Sequence, residues 1–375
     1  MITLTPYQKG AIGDGVADDA MAIMAMFSEA AASGAPVRVD MTGRFAVSHP
    51  ISVTVPSWST VIPGILRYIG DTPQETLLIL ECGESVSMPG IWYLDLCQAG
   101  WAHRVNRLVN YGVNPHRFVG GSSLGFVVRG ARRGAILPQM VDGVEPNCIS
   151  ANLGYIRGQY CGSSGHPGHQ PYTKLTFPIS GIQLAGSVAP AEQRSLLTIP
   201  AEAAAELRAM DHIRIGSEIF EVTGILGGQV EVYPWPSSVA IISGGGEAII
   251  GAGLETRGGN TAGLRYDRIF TQYTGAGGIF RSSEIEGGNI DAEASGLGLV
   301  LGGYDSTVQA AAIGIVHAEG TVYRYVTTYG RTQRCSVRAF AATDLVVGVD
   351  AYVIRNRKND GSQVQPVSLG LVTPW

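Results

Sequence analysis

Hydrophobic residues near the start of the chain recur every three or four positions, which places them on one stripe of an α-helix. Asp18 and Asp19 stand where carboxylates accept hydrogen bonds from the free amides of a helix start. Gly34 and Pro36 mark its end, since glycine favours a left-handed C-cap and proline prevents continuation. The predicted stripe is Ala20, Ile23, Met24, Phe27, Ala30 and Ala31.

After this helix the pattern changes to that of short strands. Residues 36–55 (PVRVDMTGRFAVSHPISVTV) alternate apolar and polar side chains and break at Gly43 and Pro50. Similar short runs continue to about residue 190, separated by Gly, Pro, Asn and Ser clusters. Residues 146–174 predict a long polar loop, and long loops on a β scaffold commonly carry binding or contact a neighbouring subunit.

The middle of the chain predicts a small separate group of strands. Residues 212–215, 218–222 and 229–233 alternate apolar and polar positions, and Gly-Ser and Gly-Gly turns join them. From about residue 244 to 330 the alternation resumes and turns on glycine at intervals of about ten residues or fewer. The last strand-like segments, from 331 to 375, predict a terminal cap or a trimer-forming module.

Composition agrees with a turn-rich β protein. The chain has 51 glycines, 19 prolines and only 15% charged residues among 375. Its formal charge of −5 and the absence of a block of like charge argue against nucleic acid or an anionic membrane as partner. No apolar run approaches the length of a membrane helix, so membrane insertion is not expected. No signal peptide is recognised, and we expect folding in a cytoplasm.

The five cysteines lack the paired spacing of a zinc site or a disulfide framework. We therefore expect buried free thiols. His166 and His169 lie close together in the sequence but lack a third ligand, so neither a metal site nor a cofactor is predicted. The cysteines are Cys82, Cys97, Cys148, Cys161 and Cys335.

The first fifty residues carry a recognisable motif. The run GAIGDGVADDA at residues 10–20, the helix after it and the Gly43-Arg44-Phe45 step form its parts. Together they resemble the amino-terminal signature of the pectate-lyase-like right-handed parallel β-helix superfamily, which includes polysaccharide lyases, hydrolases and bacteriophage tailspikes. One departure is the segment 40–42 (DMT), where the signature usually has a proline. The strand group at 191–240 resembles the β excursion that often interrupts the coils of phage tailspikes.

This resemblance implies an all-β chain wound as a right-handed parallel β-helix, a solenoid, and a homotrimer. The helix would cover the open end of the first coil, where unpaired strand edges invite aggregation. The implied divisions are 1–50 for the capping helix and first coil, 51–190 and 241–330 for coils, 191–240 for the insertion, and 331–375 for the carboxyl-terminal cap. The motif residues Gly13, Asp14, Gly15, Asp18 and Asp19 are then structural.

Four acidic residues are the candidates for catalysis. If Ile285, Ile290 and Ala292 point inward, the acidic residues between them face outward on two successive strands. Such carboxylates could serve glycoside hydrolysis, hold calcium, or simply form a solvated acidic face. None of the catalytic patterns of the family's enzymes carries over onto this chain. The four residues are Glu284, Glu286, Asp291 and Glu293.

Two aromatic clusters are the candidates for glycan binding. Flat rings stack on the apolar faces of sugars, and arginine pairs with carboxylates or phosphates in a fork geometry. The same clusters could instead pack between coils or at a subunit interface. The first cluster is Tyr323, Tyr325, Tyr329 and Arg331, and the second is Trp92 with Trp101.

Three functions stay open at this level. The leading one is a virion spike or fibre protein of a phage or phage-like particle, including a gene transfer agent, that binds a bacterial surface polysaccharide. Such a protein would be assembled in the host cytoplasm, lie on the virion surface and contact other virion proteins. The alternatives are a polysaccharide depolymerase and a structural adaptor that joins a spike to a capsid or tail.

Overall fold

A computed structural model gives the arrangement of most of the chain. It describes residues 1–97, 108–119, 124–163, 175–184, 194–216, 218–233, 245–257, 261, 263–281, 284–304, 307–308, 310–319, 324–328, 331–332, 335–340, 351–357 and 363–364. Over these residues the protein is mostly β-strand, which confirms the all-β class.

The strands fall into three stretches of the chain. The first holds β1 (Ile2–Leu4), β2 (Asp14–Asp18), β3 (Val37–Asp40), β4 (Arg44–Val47), β5 (Ile51–Val55), β6 (Thr60–Ile62), β7 (Ile65–Tyr68), β8 (Gln74–Cys82), β9 (Gly90–Asp95), β10 (Val109–Arg117), β11 (Leu124–Arg129), β12 (Gly134–Ile136) and β13 (Tyr155–Gln159). The second holds β14 (Thr176–Phe177), β15 (Gly181–Leu184), β16 (Ser195–Thr198), β17 (His212–Ile215), β18 (Glu218–Leu226), β19 (Gln229–Tyr233) and β20 (Gly246–Ile249). The third holds β21 (Ala252–Thr256), β22 (Leu264–Gln272), β23 (Ala276–Phe280), β24 (Glu284–Glu293), β25 (Leu297–Leu301), β26 (Thr307–Val308), β27 (Ala310–Glu319), β28 (Arg324–Thr328), β29 (Arg331–Thr332), β30 (Cys335–Phe340), β31 (Ala351–Arg357) and β32 (Gln363–Val364). The described helices are a 3-10 helix at Pro6–Lys9, α1 (Ala20–Ala32) and α2 (Ala201–Glu206).

Two long sheets make up most of the molecule. The twelve-stranded sheet, hereafter the long sheet, has the order β2-β4-β7-β9-β11-β13-β22-β24-β27-β30-β31-β32, and the eight-stranded sheet has the order β5-β8-β10-β12-β21-β23-β25-β28. Their pairings are parallel except that of β31 with β32. From β7 to β13, consecutive strands alternate between the two sheets, and each return adds a strand beside the previous one. The smaller parallel sheets are β1-β3-β6 and β26-β29.

The register between parallel strands aligns apolar side chains into rows. Phe45 pairs with Leu66, Leu66 with Leu94, and Leu94 with Val128, and all four are fully buried. These rows join a single core cluster between the sheets. Because side chains alternate along a strand, the residues between them face outward.

Helix α1 lies against β5, the edge strand of the eight-stranded sheet. Its buried face joins the main core. The predicted stripe holds except that Met26 is buried while Met24 and Ala31 are exposed. Gly34 follows with φ +63°, as its predicted C-cap role requires. The buried residues of α1 are Ala20, Ile23, Met26, Phe27 and Ala30.

The middle strands form one antiparallel sheet of the order β14-β20-β17-β18-β19-β16-β15. It contains the three predicted strands, but it extends from Thr176 to Ile249 and so is larger than the predicted 191–240. Helix α2 was not predicted from the sequence. The sheet has a core cluster of its own, with Leu197, Phe220 and Val230 among its members.

A buried ion cluster joins this antiparallel sheet to the eight-stranded sheet. The guanidinium of Arg281, just after β23, contacts Glu221 of β18 at 3.5 Å and Glu255 of β21 at 3.3 Å. Arg133 pairs with Asp211 on the loop before β17. Both members of each of these pairs are almost inaccessible to solvent. The insertion is therefore attached through charges that water does not screen.

Around Glu255 the charges are also held by hydrogen bonds. Arg257 donates to Glu255 at 2.9 Å and to the Tyr111 hydroxyl at 2.8 Å. Burial acts to raise the pKa of Glu255, but Arg257 and then Arg281 outweigh it and hold that pKa below its ordinary value. Burial raises the pKa of Tyr111, which stays a phenol.

Four cysteines confirm the prediction of buried free thiols: Cys82, Cys97, Cys148 and Cys161. Burial raises the pKa of Cys97, Cys148 and Cys161 to about 12, and that of Cys82 further. A thiol with so high a pKa carries almost no thiolate at neutral pH and is chemically inert.

Candidate functional site

The outer face of the long sheet carries a groove at its amino-terminal end. Strands β2, β4, β7 and β9 supply its walls, and its volume is about 480 Å³. We call it the amino-terminal groove. It is lined by Asp14, Gly15, Val16, Arg44, Phe45, Ile65, Arg67, Tyr93 and Asp95.

The strand register brings the polar lining together. Arg44 pairs with Ile65, which pairs with Tyr93, so these outward positions succeed one another across the sheet. Arg67 stands beside Asp95 in the same way. Among the described residues, neither Arg44 nor Arg67 has a salt-bridge partner. The groove therefore offers two guanidinium groups whose five donors each are free for a ligand.

Two of the other polar side chains in the groove are fixed from outside it. The Tyr93 hydroxyl accepts a hydrogen bond from Arg129 at 2.9 Å. Asp95 accepts the Cys97 amide hydrogen at 3.2 Å. Tyr93 and Asp95 are thereby held in place before any ligand arrives, which reduces the entropy lost on binding.

Asp14 has its own local partners. Its Oδ1 accepts the amide hydrogens of Val16 at 2.7 Å and Ala17 at 2.8 Å. The hydrogen bonds from Ala17 and then Val16 lower the pKa of Asp14. This carboxylate is therefore ionised at neutral pH and acts as an acceptor, not as an acid.

A polar row continues from the groove along the long sheet. Successive strands place Arg67, Asp95, Arg129, Gln159, Gln272 and Glu293 side by side. Gln159 donates to Gln272 at 2.9 Å, and Gln272 donates to Glu293 at 3.1 Å. The Tyr160 and Tyr273 rings, one residue further along, stack with centroids 5.1 Å apart. The outer face thus alternates guanidinium, carboxylate, amide and aromatic groups.

The residues of the amino-terminal motif shape the loop that precedes α1. Gly13 and Gly15 have φ +71° and +73°, which L side chains rarely adopt. Asp18 accepts the Ala20 amide hydrogen at 3.1 Å and so caps α1. Asp19 differs from the prediction: its side chain makes no cap bond and instead accepts the amide hydrogens of Ile12 and Gly13. Its carboxylate closes the preceding loop.

The catalytic candidates lie on one strand, which corrects the prediction of two. Glu284, Glu286, Asp291 and Glu293 all belong to β24, because Gly287 and Gly288 continue the strand instead of forming a turn. Ile285, Ile290 and Ala292 are buried as predicted, and the four carboxylates are on the outer side.

Glu286 and Asp291, the two of these carboxylates that pair with arginines, are not spaced as a hydrolytic pair. Glu286 and Asp291 are five residues apart on one strand, or about 17 Å, well beyond the roughly 5–9.5 Å of glycosidase carboxylates. Arg265 of β22 pairs with Glu286 at 2.9 Å, and Arg268 pairs with Asp291 at 2.6 Å. These carboxylates therefore link neighbouring strands.

The predicted glycan-binding aromatics have mixed outcomes. Trp92 is fully buried in the core, so its indole has no surface for a sugar, and that prediction is wrong. Trp101, Tyr323 and Tyr329 lie outside the described residues. Tyr325 is in β28 and Arg331 in β29, but their side chains are not among those described. Their glycan-binding role stays a prediction.

No protein-family model matches the chain, and no curated protein matches it. Among the described residues, no group of three or more His, Cys, Asp or Glu side chains is placed to hold a metal ion. Within the same residues, no helix is long and apolar enough to cross a membrane.

The sequence patterns did not predict the amino-terminal groove or single out Trp58. The groove combines residues up to about eighty positions apart, and only the strand register brings them together. Trp58 gave a local signal, since it lies in the turn-like segment Pro56-Ser57-Trp58-Ser59, where a large aromatic has no strand to pack in.

Proposed function

We propose that this protein is a glycan-binding spike or fibre protein that holds a bacterial surface polysaccharide in the amino-terminal groove. The observation that carries the proposal is the meeting of Arg44, Arg67 and Tyr93 in one open groove of about 480 Å³. The motif of the first fifty residues supports the assignment to a virion of a phage or phage-like particle.

The pairing of the strands supports a right-handed parallel β-helix. Consecutive strands alternate between two parallel sheets and advance by one position on each return. Parallel crossover connections are right-handed in nearly all proteins. A stack of this kind gives the flat, rigid outer face on which an extended sugar chain can lie.

The chemistry of the groove suits a sugar with hydroxyl and acidic substituents. Arginine forks bind carboxylates and phosphates in two parallel hydrogen bonds. Asp14 and Asp95 supply acceptors for hydroxyl groups, and Tyr93 supplies an aromatic wall. A site with fixed donors and acceptors around an aromatic ring can select one sugar among many.

A depolymerase is less well supported by these side chains. Asp14 and Asp95 both line the groove, and the amide hydrogen bonds of Asp14 keep it ionised, so Asp14 does not supply the protonated carboxyl that a hydrolase needs. Two of the four carboxylates of β24, Glu286 and Asp291, are paired with arginines. Binding without cleavage is therefore the favoured activity.

An adaptor role has one observation in its favour. Large apolar side chains at the amino-terminal end of the molecule are exposed, and a contiguous patch of such residues usually marks a protein contact. Deletion of residues 1–7 would abolish particle incorporation if this surface docks to a capsid or tail, and normal incorporation would exclude the role for that segment. The exposed residues are Met1, Ile2, Tyr7, Ile12, Val16, Met21 and Met24.

The proposal is tested with purified protein and a panel of immobilised bacterial capsular and lipopolysaccharide preparations. We expect the wild type to bind at least one member, and Arg67→Gln to weaken that binding by roughly tenfold. The control is Arg38→Gln on β3, an exposed arginine outside the groove, which should leave binding unchanged. No binding to any preparation, or equal binding by Arg67→Gln, would overturn the proposal. Sedimentation analysis checks the proposed homotrimer separately.

A further inference from the structure

Trp58 combines two properties that a structural residue does not need. Its side chain is 70% exposed, and its backbone has φ +65°. A bulky L residue in the left-handed region is an outlier, and glycine or asparagine is the usual occupant. The fold therefore holds a large aromatic ring in solvent at a position where glycine would be less strained.

The backbone around Trp58 is fixed by the next turn of the chain. The Trp58 amide donates to the Glu84 carbonyl at 3.1 Å, and the Glu84 amide donates to the Ser57 hydroxyl at 3.0 Å. The Ser87 amide bonds the Ser59 carbonyl at 2.9 Å. Such strain persists only where the surroundings determine the conformation, as they do here.

The same conformation recurs at the equivalent position of the next turn. Thr60 bridges Ser87, so Trp58 stands opposite Ser85, which has φ +56°. The corner of the fold therefore requires a left-handed residue at both levels. The fold explains the left-handed backbone at both positions, but it does not explain why the first of them is a tryptophan.

The surroundings of the indole are polar. Glu84 and Ser85 are exposed, and Ser57 is half-buried. An indole face bordered by hydroxyl and carboxylate groups suits a pyranose ring, whose apolar face stacks while its hydroxyl groups bond the border. A contact with a second protein copy would call for a contiguous apolar patch instead.

We propose that Trp58 is a second glycan-binding residue, which stacks on a pyranose ring with Glu84 and Ser85 as neighbouring acceptors. This inference rests on the proposed glycan-binding function. It adds a contact away from the groove, because the turn at Trp58 joins the eight-stranded sheet to the β1-β3-β6 sheet and not to the long sheet. Two separate contacts would raise the avidity for a long repetitive polymer.

The test compares Trp58→Gly with its matched control Ser150→Gly, at an exposed serine with φ +56° outside the proposed site. Both substitutions relieve the backbone strain of an L residue in the left-handed region, but only the first removes an aromatic ring. We expect both variants to melt at or above the temperature of the wild type. Binding to the same immobilised polysaccharide panel should fall roughly tenfold for Trp58→Gly and stay unchanged for Ser150→Gly.

The other outcomes overturn the inference in recognisable ways. A lower melting temperature for Trp58→Gly alone would make the indole a packing residue. A change of oligomeric state in sedimentation for Trp58→Gly would place it between copies of the chain. If Trp58→Gly binds as well as the wild type while Arg67→Gln loses binding, the Trp58 contact is refuted and the groove stays the proposed binding site. A wild type that binds nothing would remove both.

Discussion

Arg281 and Glu255 form an ion pair of 3.3 Å whose two side chains are 0% and 3% exposed. Removal of the guanidinium leaves Glu255 and Glu221 with less compensation in a region that water does not reach. We expect Arg281→Met to lower the free energy of unfolding by about 3–5 kcal/mol. Urea unfolding measures this loss. Arg38→Met, at an exposed position, is the control and should change stability by less than about 0.5 kcal/mol; an equal effect of the two would contradict the role of the buried ion cluster.

Acid should weaken the same cluster. The pKa of Glu255 lies below its ordinary value of 4.5 in the folded protein, so its charged form stabilises the fold at neutral pH. That contribution is complete above the unfolded pKa and is lost as the pH falls through the folded one. We expect the stability difference between wild type and Glu255→Gln to be largest near pH 6 and to shrink in acid. Melting curves between pH 6 and pH 3 check this, and a pH-independent difference would refute it.

The two aspartates of the amino-terminal loop should differ in importance. Asp19 is buried and accepts the amide hydrogens of Ile12 at 2.7 Å and Gly13 at 3.0 Å. Asp19→Ala leaves both amides without their acceptor and should cost about 1–3 kcal/mol. Asp14 is exposed, so Asp14→Ala should cost less. Thermal melts and amide hydrogen exchange at Ile12 and Gly13 provide the measurement; a larger effect of Asp14→Ala would reverse our assignment.

Gly288 should be intolerant of any side chain. A Cβ there would lie 1.9 Å from the Asp267 carbonyl oxygen of β22, and neither strand can move without loss of its ladder. We expect Gly288→Ala to destabilise the protein by about 1–3 kcal/mol or more. Gly224 of β18 is the control, since its Cβ would meet only ordinary contacts of 3.6 Å. Circular dichroism melts distinguish the two, and equal melting temperatures would argue against close packing of β22 on β24.

Glu286 and Asp291 of β24 should be dispensable for any chemistry on polysaccharide. Glu286 and Asp291 pair with arginines of β22 and are too far apart for joint catalysis. We expect Glu286→Gln and Asp291→Asn to give the same yield of reducing ends from bacterial capsule as the wild type. Loss of product in either variant, against product from the wild type, would restore the depolymerase hypothesis.

Local patterns predicted the elements better than the site. The apolar stripe from Ala20 to Ala30 and the strand alternation at 212–215 depend on neighbouring residues alone, and both are confirmed. The alternation in β9 also predicted the orientation of Trp92. Trp92 and Leu94 are two residues apart, so both side chains point into the core, while Tyr93 between them points outward. The glycan-binding prediction for Trp92 failed because it relied on the residue type and not on the alternation of inward and outward positions along the strand.

Two features had no local signal. Gly287-Gly288 has the composition of a turn, and only the close approach of Tyr266 and Asp267 from β22 explains two glycines inside a strand. The amino-terminal groove depends on the register between strands that are twenty to thirty residues apart in the chain. Such long-range alignment is set by packing of the whole core, which no short window of sequence contains.

The left-handed backbone at Trp58 also has a consequence for the evolution of this position. Tryptophan has the single codon UGG, and one base change converts it to GGG, which encodes the residue that this backbone favours. Selection for stability alone would thus favour glycine at this position. Under the proposed glycan-binding role, retention of tryptophan at this position in related sequences is the expected sign of selection on the exposed ring.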